Sequence, residues 1–300
     1  MLKVAWDKCY VLPLPPNHRF PMSKYEVLPQ QLIHEGTVTE GSFFSPPDFD
    51  ETIILSVHER EYFERLTSLT LSPQEIRRTG FPISQEVVTR EICIAFGTIE
   101  CARFALQYGV SMNIAGGTHH AFTNKGEGFC LLNDMAIAAR FLLNNHLARK
   151  VLFVDLDVHQ GNGSAQIFKD DDRVFTFSIH GAHNYPLIKE KSDLDVGMAD
   201  GTGDRVYLQT LDENLKEVLD RVKPDFLFYQ AGVDILETDS LGRLSVTREG
   251  CRQRDRVVIS EAKRHRIPLV ITMGGGYSRD FRDIIEAHAN TFRTAQELFF

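Results

Sequence analysis

The chain has 300 residues, 43% of them hydrophobic, with a formal net charge of −8, enough for one large core or two modest ones and too acidic for bulk nucleic-acid binding. Its five cysteines include no Cys-x-x-Cys pair, its first residues lack the apolar core of a signal peptide, and no run approaches the roughly 18 apolar residues of a membrane span. These features predict a reduced, cytoplasmic protein with no membrane and no direct nucleic-acid partner.

Residues 1–50 are proline-rich with little periodicity, and His18–Tyr25 within them reads as a surface loop leading into a helix. Segments 53–70 and 74–78 read as short helices, with Pro73 and Pro82 as breaks. Glu86 to Gln107 reads as a longer helix, because Val87, Ile94, Cys101, Phe104 and Ala105 share one face. Tyr108-Gly109 supplies its C-terminal cap. From residue 110 strands and helices alternate. Val110–Ala115, Val151–Leu156, Val174–Ile179, Phe226–Gln230 and Leu269–Met273 are strand-like. Asn133–Leu147, Asp212–Val222 and Thr247–Arg264 are helical. This order predicts a single α/β domain over 1–300, built on a mostly parallel sheet with helices on both faces.

Polar residues gather where these strands end. Gly116-Gly117-Thr118-His119-His120 follows the first, Asp155-Leu156-Asp157-Val158-His159 ends the second, and Ser178-Ile179-His180 ends the third. Ala231-Gly232-Val233-Asp234 and Gly274-Gly275-Gly276-Tyr277 follow the last two. Open parallel sheets place ligand sites beyond their carboxyl ends. Asp155, Asp157 and His159 share one face of an extended segment. A carboxylate and an imidazole two residues apart suit zinc, although one Asp-x-His alone is equally an acidic strand end with a surface histidine.

Together these motifs, with Asp155–Gly163 read as Asp-Leu-Asp-Val-His-Gln-Gly-Asn-Gly, resemble the signature of zinc-dependent histone deacetylases. His18-Arg19-Phe20-Pro21-Met22 and Asp234–Gly242 resemble the class IV branch. The resemblance spans residues 10 to 290 and implies a single-domain arginase/deacetylase-like fold. It also implies one catalytic Zn2+ on Asp157, His159 and Asp234, leaving room for water and substrate. His120 is then the general base and later acid, His119 its electrostatic assistant, and Tyr277 the donor to the developing oxyanion. Asp155 pairs with His119. Asn162 pairs with His120 where many relatives have aspartate, so His120 should be the weaker base.

The resemblance further implies a structural K+ held by backbone carbonyls of Asp155, Asp157, His159 and Ile179 and by the side chains of Asp157 and Ser178. Gly128, Phe129, Tyr185 and Gly275 line a narrow acyl-lysine tunnel, and Arg19 lines an internal channel for the carboxylate product. A two-metal, arginase-type centre is disfavoured, because Gly161 and Leu236 stand where bridging carboxylates are needed. The expected substrate is an acyl-lysine protein or peptide, acetylated or longer-chained, and the expected state is a monomer or weak homo-oligomer. Hydrolysis of a small acylated amine, such as an acetylpolyamine, stays open and would favour an acidic entrance. A low-turnover acyl-lysine binding module is the third reading, although Tyr277 and both histidines are present.

Overall fold

The computed structural model describes residues 1–48 and 50–300. One sheet of eight strands runs through the molecule. The strands are β1 (Lys3–Ala5), β2 (Phe43–Phe44), β3 (Val110–Asn113), β4 (Val151–Asp155), β5 (Val174–Gly181), β6 (Leu194–Met198), β7 (Phe226–Gln230) and β8 (Leu269–Thr272). Their order is β2-β1-β3-β8-β7-β4-β5-β6, and every pairing between them is parallel. The mostly parallel sheet expected from the alternation is therefore wholly parallel. β3, β4, β7 and β8 are buried along their length, as strands covered on both faces must be.

The helices are α1 (Lys24–His34), α2 (Arg60–Thr67), α3 (Pro73–Thr79), α4 (Gln85–Tyr108), α5 (Asp134–Asn144), α6 (Asn162–Phe168), α7 (Asp204–Val222), α8 (Arg248–His265) and α9 (Phe281–Phe299). Local chemistry starts and stops them. Pro73 begins α3 behind a capping box in which the Ser72 hydroxyl accepts from Glu75 N. Ser84 caps α4, which stops at Gly109 with φ of 87°. Among the described residues, no helix is long and apolar enough to cross a membrane.

The segment 18–25 leads into a helix, α1, as expected, but it is only in part a surface loop, with Arg19 and Ser23 exposed. Phe20, Met22, Lys24 and Tyr25 are buried. The reason is aromatic packing: the Phe20 ring lies 5.0 Å from Phe81 and 5.3 Å from Phe129. β1, β2 and β6 fall outside the sequence expectation. β1 and β2 are only three and two residues long, and the exposure of the five-residue β6 alternates as an edge strand's does.

The central strands end level. Asp155 pairs with Gln230, Gln230 with Thr272, and Thr272 with Asn113. The loops after β3, β8, β7 and β4, which are consecutive in the sheet, therefore converge at one edge.

Candidate active site

Two of those loops bring Asp157, His159 and Asp234 together, with one donor atom from each within 4.8 Å of the others and all three side chains buried. His159 Nδ1 lies 3.0 Å from Asp157 Oδ1 and 3.0 Å from Asp234 Oδ2. The backbone fixes both carboxylates, since Gly275 N donates to Asp157 Oδ2 at 2.8 Å and Val158 N to Asp234 Oδ1 at 2.9 Å. Burial pushes the Asp234 carboxyl up to about 7, with Asp157 adding to the effect. Burial works against charge on His159, but its bonds to Asp157 and Asp234 outweigh it and raise the ring to about 10. Two buried carboxylates aimed at one imidazole nitrogen need positive charge between them. Two oxygens and one nitrogen form a donor set that suits zinc.

Glycines make this convergence possible. A Cβ on Gly275 would lie 2.1 Å from Asp234 Oδ2, and one on Gly232 would lie 2.2 Å from Asp157 Oδ2. Behind the strand ends Arg254 is completely buried, paired with Asp255 at 2.7 Å, and its guanidinium donates to the carbonyls of Leu156, Ala231 and Gly232.

His119 and His120 stand side by side with ring centres 4.1 Å apart. His119 Nδ1 donates to Asp155 Oδ2 at 2.7 Å, and His120 Nδ1 donates to Asn162 Oδ1 at 2.7 Å. Each bond turns the ring's other nitrogen away from its partner. The two environments differ. Burial lowers His119, but the Asp155 carboxylate outweighs it and raises the ring to about 8. Burial, then the charges of His119 and His159, hold His120 well below its ordinary value, against the opposing pull of the Asn162 bond and the Asp157 carboxylate. The loop carrying both histidines is pinned by α5, because Asp134 Oδ1 accepts from Thr118 N at 2.8 Å. A Cβ on Gly116, at φ of 80°, would lie 2.3 Å from Asp134 Oδ2.

Tyr277 closes the opposite side. Its backbone N–H donates to Asp239 Oδ2 at 2.6 Å, tying its loop to residues 236–242. Burial, with Asp234 and Asp157 nearby, keeps its hydroxyl well above the ordinary tyrosine range and so protonated.

Phe129, Tyr185, Tyr277, His120 and His159 line a cavity of about 350 Å³ that opens to solvent. Beneath it lies a cavity of about 40 Å³ that shares His120, Gly128, Phe129 and Tyr277 and adds Phe20, Tyr25, Arg90 and Gly275. Tyr185 meets His120 edge-on at 5.0 Å, and Phe129 lies 6.0 Å from Tyr277. Gly128 has φ of 57° and a Cβ there would lie 2.7 Å from His120 Cδ2, so only glycine leaves the ring in place. A larger cleft, about 580 Å³, lies between α1, α8 and α9 but gathers no such donor set.

Arg19, expected to line an internal channel for the product, does not do so. It is exposed at the outer cavity and does not line the inner one. His18 stacks on Phe81 and Phe20 packs beside it, so the residue between them faces out. The buried cations at the inner end are Arg90, whose Nε donates to Tyr10 O at 2.9 Å, and Lys24, whose Nζ donates to Gly274 O at 2.9 Å. Burial lowers Lys24 to about 8 despite Asp234 and Asp157. Ser178 and Ile179 are buried beside Asp155 in the sheet, and the Ser178 hydroxyl lies 2.9 Å from His180 Nδ1.

Sequence reasoning missed Lys24, Arg90 and Arg254, since single cations in charged segments read as solvated faces. It also missed Glu127, although its place between Gly126 and Gly128, beside the tunnel residue Phe129, was a usable signal.

The sequence and fold agree with this geometry. The family model of the histone deacetylase domain matches residues 18–292. The chain is 43% identical to an uncharacterized protein of Picosynechococcus sp., over 99% of both chains. It is 31% identical to histone deacetylase 2 of Arabidopsis thaliana, over 89% of this chain and 72% of that one. Among solved structures, an HDAC homologue complexed with SAHA superposes with a TM-score of 0.85 at 21% identity, covering 99% of this chain and 84% of the other. The chain belongs to the histone deacetylase family and is a hydrolase acting on amides.

Proposed function

We propose that the chain hydrolyses the side-chain amide of acyl-lysine in a protein or peptide, using one Zn2+ held by Asp157, His159 and Asp234. The observation that carries the reading is the meeting of that buried trio with two histidines held by different partners at the base of an aromatic-walled cavity. The bound ion would supply Lewis acidity, polarising the amide carbonyl and lowering the pKa of the attacking water. The protein does the rest. Phe129 and Tyr185 flank the alkyl stem of the lysine. His120, held neutral, takes the proton from water through Nε2 and returns it to the departing lysine amine. His119, held charged against Asp155, stabilises the negative charge that develops. Tyr277 donates its hydroxyl proton to the oxyanion in a hydrogen bond.

The inner cavity is small, about 40 Å³, which favours an acetyl group over a long chain. A structural K+ on Asp155, Asp157, His159, Ser178 and Ile179, and membership of the class IV branch, belong to the same reading. The acylpolyamine alternative loses ground at the entrance. Arg19, Arg78 and Arg243 line it, and among the described residues neither Arg19 nor Arg78 has an ion-pair partner. A polycation would be repelled there.

The test is turnover of lysine peptides acylated with acetyl through myristoyl, on protein stripped of metal and then given zinc. The reading expects zinc-dependent release, highest with acetyl. Zinc bound without release from any peptide would overturn it.

A further inference from the structure

We propose that Glu127 is a positioning residue that fixes the orientation of Asn162, through it the tautomer of His120, and couples that setting to the tunnel wall at Tyr185. The inference rests on His120 being the general base and adds the means by which it is kept ready.

An asparagine beside a histidine is ambiguous in a way an aspartate is not. Its oxygen accepts from the ring, while its amide nitrogen, after a flip, donates to it. The two arrangements demand opposite tautomers of the imidazole. Only the first leaves a lone pair on Nε2 at the cavity. In this structure Asn162 Nδ2 donates to Glu127 Oε1 at 2.7 Å, so the amide's nitrogen end is engaged away from the ring. Asn162 Oδ1 faces His120 Nδ1 at 2.7 Å and accepts a second bond from Gly163 N at 3.1 Å. A flip would cost both outer bonds at once. Glu127 is 7% exposed, so water is poorly placed to replace it.

The same carboxylate oxygen serves the wall. Tyr185 Oη donates to Glu127 Oε1 at 2.8 Å, and Lys125 Nζ reaches Oε2 at 3.1 Å. The Tyr185 ring in turn meets His120 edge-on, with an interplanar angle of 88°. Wall, carboxylate, amide and base thus form a closed circuit. His119 has no such relay, since Asp155 bonds it directly. The negative charge behind His120 has been moved one residue outward, where it orients the base and strengthens it little.

This arrangement makes a prediction about pairs of substitutions. Glu127→Ala frees the amide to flip and should lower kcat on an acetyl-lysine peptide by about 10- to 100-fold with KM less affected. Glu127→Gln retains an acceptor for Asn162 and should recover most of that loss. Asn162→Asp alone sets two carboxyl groups against each other and should lower kcat. In the Glu127→Ala background the same change supplies an unambiguous acceptor to His120 and should raise kcat. That reversal of sign is the deciding result, read on zinc-loaded proteins of equal metal content and helicity. Should Glu127→Ala fail to fold, the reversal is sought with Glu127→Gln, where Asn162→Asp should cost less than in the parent. If Asn162→Asp has the same effect in every background, Glu127 does not position the amide and the proposal fails. If His120→Ala keeps full activity, the fault lies instead with the base assignment.

Discussion

The two walls behind the tandem histidines solve the same problem with opposite means. Behind His119 a buried carboxylate bonds the ring directly and outweighs the burial that would neutralise it. Behind His120 a neutral amide makes a bond of the same length, and burial and the charge on His119 win. Rings 4.1 Å apart cannot both be charged cheaply. The difference in partner decides which one carries the proton, so one cationic and one basic group arise from two identical side chains.

Among substitutions outside the two histidines, the largest effect should come from Tyr277. Tyr277→Phe removes the oxyanion donor and should cut kcat by about 10²–10³-fold with fold and zinc content intact, whichever histidine is the base. Near-normal turnover would exclude that role. Next, Asp155→Asn makes the two walls alike. It should cost about 10- to 100-fold in kcat, and in the metal-free protein the ring of His119 should titrate below its present value of about 8, by NMR. An unmoved titration would mean that Asp155 does not set the charge.

Arg254→Ala should leave the contrast alone. It removes one partner of a buried pair and three carbonyl contacts behind the strand ends, at a cost of about 3–5 kcal/mol, read as a lowered Tm. The ratio of effects at His119 and His120 should survive in the folded fraction.

The smallest effect concerns His58. It accepts from Asn133 N at 3.0 Å, and its other ring nitrogen donates to Phe122 O at 2.9 Å. Burial lowers it to about 4. The unfolded chain therefore takes up a proton at this residue before the folded one does. Stability from this source is complete above about 6.5 and is lost as pH falls towards 4. His180, also lowered to about 4 by burial, acts in the same direction. Urea unfolding between pH 4 and 7 should show a shallower slope for His58→Gln than for the parent.

Much of this was legible in the sequence because the reacting groups sit at strand ends. The spacing of Asp155, Asp157 and His159, and the glycines before Tyr277, are imposed by chain direction and close backbone approach. Five of the six strands from Val110 onward were legible because buried parallel strands are continuous apolar runs; β6, half exposed at the sheet's edge, was not. β1 and β2 were not, being three and two residues long. Arg19 was misplaced because a motif names residues without saying which way an extended segment turns. The bonds that Lys24 and Glu127 make were hidden for a related reason. Their partners, Gly274 and Asn162, lie 250 and 35 residues away, and no local pattern reports such a bond.

The central claim is that the partner behind each histidine assigns its role. Its most direct test is kcat for His119→Ala and His120→Ala, measured side by side on one acetyl-lysine peptide at equal zinc content. The account predicts a much larger loss for His120→Ala, on the order of 10²–10⁴-fold, than for His119→Ala. Equal losses, or a larger loss at His119, would contradict it.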